Sequence, residues 1–268
     1  MNSKMQQKGR LKAVNCALTL VVLLMIAFLV GVSVGLDKDA DNPNIVSIYK
    51  PSTKKQLVIH DEQCSSIRLP AVNRNGTGVA ANLDVSIMPG SGLVLVNLNR
   101  VISKEETLNS IRMAALVASD MTGIDTGNLD IIYDIYANAS LLEGPSAGAA
   151  MTIATIAALE GRDVNNDVMI TGIINHDGTI GPAGKVKEKA LSAKENGAKA
   201  FYVPVGASTE VNYTEEEFCH TWGTYEYCQP ELKTEIIDLS EETGIKIIEA
   251  ENLKDILDAF LGEKEPLM

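Results

Sequence analysis

The sequence predicts a mixed domain of strands and helices, of the α/β or α+β class, preceded by a separate apolar segment. Two observations carry this prediction. From residue 78 onward, β-rich runs alternate with helical patterns over roughly 190 residues. A long apolar run, residues 13–36, lies apart from that alternation. Hydrophobic residues make up 46% of the 268 and charged residues 22%, which is ordinary for a globular protein.

Residues 13–36 have Asn15, Thr19 and Ser33 as their only polar side chains. A helix needs about 20 apolar residues to span a bilayer. Lysine and arginine precede the run and aspartate follows it, so the positive-inside rule places residues 1–12 in the cytoplasm. The alternative is a cleaved secretory signal, whose apolar part is shorter, about 7–15 residues. We therefore predict a single-pass signal-anchor with an extracytoplasmic folded domain.

Residues 37–69 are polar and mixed, and are predicted to be a linker with one short strand at Gln56–Ile59. The predicted domain covers residues 70–262, with residues 207–232 as an insertion. Its predicted elements are, in order, the strands Val79–Ile87 and Gly92–Leu98 joined as a hairpin, the helix Glu105–Met121, the strand Leu129–Tyr136, the helix Ser146–Leu159, the strand Val168–Ile174, the helix Val186–Asn196, the strands Ala200–Val203, Lys233–Asp238 and Ile245–Ile248, and the helix Leu253–Leu261.

The helices are predicted from apolar residues at helical spacing. Leu108, Ile111 and Ala115 show that spacing in the first helix, and Gly161 is a typical residue to end the second. The strands are predicted from runs of β-branched and apolar residues bounded by turn residues, of which Met88–Ser91 is one group.

Glu143-Gly144-Pro145-Ser146-Ala147-Gly148 places a serine between two glycines, directly after a proline. Small residues follow, so the segment predicts a tight turn that puts Ser146 on the first turn of a helix. Backbone N–H groups and the positive end of the helix dipole meet there and would stabilise an oxyanion. Ser146 is the candidate nucleophile, with Gly144 beside the oxyanion site. Glu143 is either a residue at the mouth of the site or a solvated loop residue.

A serine nucleophile needs a base to accept its proton. The three histidines, His60, His176 and His220, are not predicted to lie on core elements near the serine turn. A lysine can serve instead if it is neutral, and burial lowers its pKa towards that state.

Lys185, Lys187 and Lys189 are the candidate bases. Lys187 has Ala190 and Leu191 three and four positions later, and it lies in the first turn of its helix, where the dipole lowers a lysine pKa. Lys185 and Lys189 have more polar neighbours and are expected to face water. We predict that Lys187 is the base; the alternative is that its stem is buried and its ammonium lies in solvent.

These motifs resemble the catalytic domain of Lon proteases. The stretch from Glu143 to Met151 is similar to the nucleophile motif of that family, and Thr171-Gly172-Ile173, followed 16 positions after the threonine by Lys187, is similar to its lysine motif. The downstream segment 196–204 also matches, and the resemblance runs from about residue 70 to 261. It implies an α+β fold in which Ser146 is the nucleophile, Lys187 the general base and Thr171 a residue that positions the lysine.

The chain departs from that family in two respects. The family usually carries an ATPase module, and Gly178–Lys185 is not a P-loop, because its spacing is one residue too long and Val186 replaces the Ser/Thr. Lys185 also stands where the family usually has a glycine. The resemblance therefore implies a membrane-anchored, ATP-independent serine endopeptidase that cleaves unfolded or exposed segments of proteins or peptides. It implies no cofactor or metal, and suggests a homo-oligomeric ring such as a hexamer.

Two other functions fit parts of the sequence. Gly144-x-Ser146-x-Gly148 also matches the nucleophile elbow of α/β-hydrolases, which predicts an esterase with a triad of Ser146, Asp177 and His220. The residues before Ser146 are only weakly strand-like, which disfavours that fold. An inactive Lon-like binding module is the second alternative.

The net charge of −12 disfavours binding to nucleic acid. Cys219 and Cys228 flank a short polar segment and could close a disulfide. A zinc site is a weaker interpretation of these cysteines, because only His220 lies near them in the sequence.

Overall fold

The computed structural model describes residues 54–57, 62–73, 75–97, 102–103, 105–137, 141–142 and 144–262. The chain divides into two units, residues 1–52 and 53–268, and all described residues lie in the second. The predicted membrane segment 13–36 lies outside the described residues. Among the helices that are described, none is both long and apolar enough to cross a membrane.

The described part of the chain forms fifteen strands, five α-helices and two 3₁₀ turns. The strands are β1 (Lys55–Gln56), β2 (Gln63–Val72), β3 (Gly78–Pro89), β4 (Val94–Asn97), β5 (Ile102–Ser103), β6 (Ile124–Asp125), β7 (Leu129–Ala137), β8 (Leu141–Leu142), β9 (Val168–Ile170), β10 (Ile173–Ile174), β11 (Ile180–Gly181), β12 (Ala200–Pro204), β13 (Thr209–Trp222), β14 (Tyr225–Asp238) and β15 (Lys246–Ala250). The helices are α1 (Glu105–Thr122), α2 (Gly148–Glu160), α3 (Val186–Glu195), α4 (Leu239–Thr243) and α5 (Leu257–Phe260), with 3₁₀ turns at Pro145–Ala147 and Leu253–Asp255.

A four-stranded sheet in the order β2-β3-β7-β4 forms one layer of the fold. Alternate residues of β3 and β7 are buried, as period-2 patterning requires, and Val85 pairs with Tyr133 at the centre. Helices α1 and α2 pack together, and α2 also packs against β2 and β3. The Tyr133 hydroxyl lies 2.7 Å from the Thr155 hydroxyl of α2 inside this core.

A three-stranded parallel sheet in the order β15-β12-β9 forms the second sheet. Helix α3 packs against β12 and against β2 and β3 of the first sheet. Its buried alanines, Ala190 and Ala193, share a small core with Phe201 and Val203 of β12. Because α3 contacts both sheets, its position relative to the first sheet is fixed by packing.

The predicted hairpin between residues 79–87 and 92–98 is wrong. β3 pairs with β2 and β7, whereas β4 pairs in parallel with β7. The carboxylate of Asp130 at the start of β7 accepts the N–H groups of Ser91 and Leu93 at 2.8 and 2.9 Å. The chain therefore turns around Asp130 instead of folding back on β3.

Three other elements differ from the prediction. β2 begins at Gln63, inside the predicted linker, and its polar first residues hide it in the sequence. The predicted insertion, residues 207–232, contributes most of a long antiparallel pair, β13 and β14. The predicted helix 253–261 is a 3₁₀ turn followed by the single turn of α5. The mixed architecture of helices and strands is confirmed.

Candidate active site

Ser146 lies on the 3₁₀ turn between Gly144 and α2, as the sequence predicts. Gly144 has a φ of 97°, a conformation that glycine adopts without a steric penalty, and Pro145 starts the turn. Helix α2 begins at Gly148, and every residue from Gly148 to Leu159 is buried. The serine therefore stands at the end of a rigidly held helix. Glu143 lies outside the described residues.

The loop after β9 is hydrogen-bonded to the serine turn at three points. The Gly172 N–H donates to the Ser146 carbonyl at 2.7 Å, and the Ala149 N–H donates to the Gly172 carbonyl at 3.1 Å. The Thr171 hydroxyl also donates to the Ser146 carbonyl, at 3.2 Å. These bonds fix Thr171 beside Ser146.

Lys189 is the lysine that contacts Ser146. Its Nζ atom lies 2.6 Å from Ser146 Oγ and 3.1 Å from Thr171 Oγ1. The side chain is buried, with 6% of the residue exposed. The pKa of Lys189 is lowered to about 8, mainly by burial; the charge of Glu188 opposes this shift and the charge of Lys185 adds to it. About one-tenth of Lys189 is thus neutral at pH 7, and this neutral form is the one that can accept a proton.

The prediction that Lys187 is the base is wrong in its placement. The Lys187 ammonium forms an ion pair with Glu242 at the surface, and this hydrogen bond raises the pKa of Lys187. Two residues along an α-helix correspond to a rotation of about 200°. When Lys189 faces Ser146, Lys187 therefore points to the other side of α3.

One signal in the sequence does favour Lys189. It lies three residues after Val186 and four before Ala193, so it shares the apolar face of α3 with them. The polar neighbour Ser192 obscures this signal, yet Ser192 is itself buried. Small side chains on that face leave room for a lysine to extend into the interior.

Lys185 has the left-handed backbone conformation that glycine adopts most easily. Its φ of 56° makes it the only residue other than glycine with a positive φ among those the structure describes. Its carbonyl accepts the Lys189 N–H at 3.1 Å, so α3 starts in normal helical register. The departure at Lys185 therefore leaves the placement of Lys189 intact.

A cavity of about 570 Å³ opens over Ser146 and Lys189. Leu69, Ile135 and Met151 give it an apolar lining. A second cavity of about 760 Å³ shares Pro182 and Lys185 with the first and extends to the start of β13. The two cavities meet at Pro182 and Lys185, and together they are called the groove.

The residues of the predicted esterase triad are not brought together. Asp177 accepts the N–H and hydroxyl of Thr179 at 3.0 and 2.7 Å. His220 packs edge-on against Phe218 on the exposed β13, with ring centroids 5.0 Å apart.

Cys219 and Cys228 form a disulfide that joins β13 to β14.

The family described as the Lon protease (S16) C-terminal proteolytic domain matches residues 76–220. Lon protease 1 of Sorangium cellulosum is 32% identical over 139 residues, which cover 50% of this chain and 17% of that protein. Lon protease 2 of Syntrophobacter fumaroxidans is 35% identical over 118 residues, 43% of this chain and 15% of that protein. Lon protease of Desulfatibacillum aliphaticivorans is 32% identical over 130 residues, which cover 47% of this chain and 16% of that protein. The chain thus spans less than a fifth of these relatives.

Proposed function

This chain belongs to the Lon protease (S16) C-terminal proteolytic domain family, and we propose that it is a serine endopeptidase in which Ser146 is the nucleophile and Lys189 the general base. The observation that carries this proposal is the 2.6 Å distance between Lys189 Nζ and Ser146 Oγ at the floor of the groove. The Ser-Lys pair is an established variant of the catalytic triad.

The reaction starts with neutral Lys189. The Ser146 O–H donates to its Nζ atom, and Oγ attacks the peptide carbonyl as the proton moves to the lysine. The lysine ammonium then gives this proton to the leaving amine, and an acyl-enzyme ester remains. Water attacks the ester, Lys189 accepts the water proton and returns it to Ser146 Oγ, and the carboxylic acid leaves.

The neighbouring groups support both steps. The Thr171 hydroxyl accepts from Lys189 Nζ and donates to the Ser146 carbonyl, so it directs the lone pair of the lysine towards Oγ. Pro145 has no N–H, so the backbone N–H groups of Gly144 and Ser146 are the candidate donors to the oxyanion.

We further propose that the substrates are unfolded or exposed segments of proteins, cleaved without ATP. The groove runs from Ser146 to the exposed residues Thr209 and Glu210 of β13, and Gly178–Lys185 lacks the spacing of a P-loop. We also propose, on the basis of the family to which the chain belongs, that it assembles into a homo-oligomeric ring such as a hexamer; analytical ultracentrifugation in detergent tests this.

The apolar run at residues 13–36 supports a further proposal, that a single helix anchors the chain with the catalytic domain outside the cytoplasm. A protease added to intact cells should then degrade the domain. If the domain stayed intact until the cells were lysed, this topology would be contradicted.

A fluorophosphonate probe tests the proposed chemistry. The full chain in detergent should label at Ser146 and cleave unfolded casein without ATP, and Ser146→Ala should do neither. Absence of both labelling and cleavage in the native sequence would favour an inactive binding module. Loss of labelling in His220→Ala would favour the esterase.

The pH dependence of cleavage should follow the protonation of Lys189. Below pH 8 most of Lys189 carries the proton and cannot accept another, so kcat/KM should rise with pH, with a midpoint near the pKa of about 8, and then level off. The measurement is kcat/KM for a fluorogenic peptide from about pH 6 to about pH 10. A midpoint at about 6.5 would instead indicate a histidine base.

A further inference from the structure

β13 and β14 form a two-stranded ribbon, Thr209–Asp238, which we call the ribbon. All of its residues except Ile237 are exposed. An isolated pair of strands is only marginally stable in water, and the Cys219–Cys228 disulfide joins this pair near its far end. The chain thus holds an extended, solvent-exposed surface in a defined conformation.

The register of the ribbon places five of its six aromatic side chains on one face near the tip. Pairing of His220 with Tyr227, and of Trp222 with Tyr225, places these four side chains on the same side, with Phe218 next along the strand. Trp222 is 90% exposed and Tyr225 is 81% exposed. Aromatic groups exposed to this degree mark an interaction surface. We call these five residues the aromatic face.

The ribbon is also strongly acidic. Between residues 209 and 238 the sequence has eight Glu and Asp residues and one Lys, a net charge of −7. Glu216 lies directly opposite Glu231, and Lys233, the one basic residue of the ribbon, forms an ion pair with Glu216 at 3.1 Å. Such a surface repels a second copy of itself and an anionic lipid surface, and it attracts cationic groups.

The base of the ribbon adjoins the catalytic groove. Thr209 and Glu210 line the second cavity, which shares Pro182 and Lys185 with the cavity over Ser146. A polypeptide held on the ribbon therefore has a direct route along the groove to the nucleophile.

We propose that the ribbon captures unfolded polypeptide segments that combine basic and apolar side chains. The aromatic rings contact the apolar side chains and the cationic groups of Lys and Arg, and the glutamates supply the complementary charge. This inference rests on the proposed peptidase function, for which the ribbon would select substrates by composition before cleavage.

Trp222 is the only tryptophan in the chain, so fluorescence excited at a wavelength that tyrosine does not absorb reports on the aromatic face alone. The experiment uses the full-length Ser146→Ala protein in detergent and a disordered, tryptophan-free peptide rich in Lys and Leu. Titration should shift the Trp222 emission to shorter wavelength and should be weakened by salt. An equally long peptide rich in Glu and Leu should leave the emission unchanged.

Substitution separates the aromatic face from the rest of the ribbon. Tyr225→Ala with Tyr227→Ala should weaken peptide binding about tenfold or more. Tyr213→Ala is the matched control, since Tyr213 is 65% exposed but lies on the opposite face, and it should bind like the parent. Equal binding by all three proteins, or equal binding of the acidic peptide, would overturn the proposal.

Two further measurements distinguish the remaining outcomes. Quenching of Trp222 by brominated phosphatidylcholine without peptide would place the tip in a bilayer and overturn peptide capture. In the catalytically intact chain, Tyr225→Ala with Tyr227→Ala should raise KM for a basic unfolded protein and leave cleavage of a short fluorogenic peptide unchanged. Binding to Ser146→Ala does not depend on catalysis, so failure of the peptidase proposal would not resemble failure of this one.

Discussion

Replacing Lys189 by alanine is expected to reduce kcat/KM for peptide cleavage by about 10²–10⁴-fold. The substitution removes the group that lies 2.6 Å from Ser146 Oγ and leaves the hydroxyl without a base. Lys187→Ala should retain most of the activity, because it breaks only a surface ion pair with Glu242. The measurement compares both variants with the parent on a fluorogenic peptide, together with their rates of fluorophosphonate labelling.

A third variant separates loss of the base from loss of the fold. Lys189→Met keeps an unbranched apolar stem in the buried position and removes the ionisable group, so it should be at least as stable as the parent towards urea and as inactive as Lys189→Ala. Since burial lowers the pKa of Lys189, the lysine itself opposes folding when it is protonated. Full activity in Lys189→Ala together with loss of activity in Lys187→Ala would instead identify Lys187 as the base.

The serine could be predicted because its conformation is determined locally. Gly144, Pro145 and the small residues from Gly148 onward specify a turn followed by a helix, whatever surrounds them. The base depends instead on which face of α3 packs against β2 and β3. Contacts between segments that are distant in the sequence determine which face that is. The positions of Lys187 and Lys189 within the helix are therefore not sufficient to predict which of them is the base.

In the fold, too, local features could be predicted and long-range contacts could not. Strands β3 and β7 could be predicted from their alternating apolar residues, because each strand buries one whole face. The strands with which they pair could not be predicted in the same way. β4 follows β3 in the sequence but lies beside β7, since the Asp130 carboxylate holds the intervening turn. The ribbon has no buried face, so its sequence shows no sustained alternation of apolar and polar residues, and the sequence alone predicts an insertion without strands up to Lys233.

Gly78→Ala should have the second largest effect, because Gly78 is where the sheet meets α3. A Cβ atom at this position would lie 2.1 Å from the Glu188 carbonyl oxygen and 2.9 Å from Ser192 Cβ. The nearer contact is with backbone, so relief requires a shift of α3 or of β3. Overpacking of this kind destabilises a protein by about 1–3 kcal/mol, which urea unfolding measures.

The same shift should impair catalysis, since Lys189 is the residue after Glu188. Displacement of a catalytic group by about 1 Å can reduce the rate about a hundredfold. Movement of α3 away from the sheet also admits water to Lys189, so its pKa should rise from about 8 towards its unperturbed value and carry the midpoint of the pH profile upward. Gly262→Ala is the matched control, because its new Cβ would have ordinary contact at 3.7 Å from the Asp163 carbonyl oxygen. A Gly78→Ala protein with lower stability but an unchanged pH midpoint and kcat/KM would show that β3, and not α3, absorbs the clash, and that the position of Lys189 does not depend on Gly78.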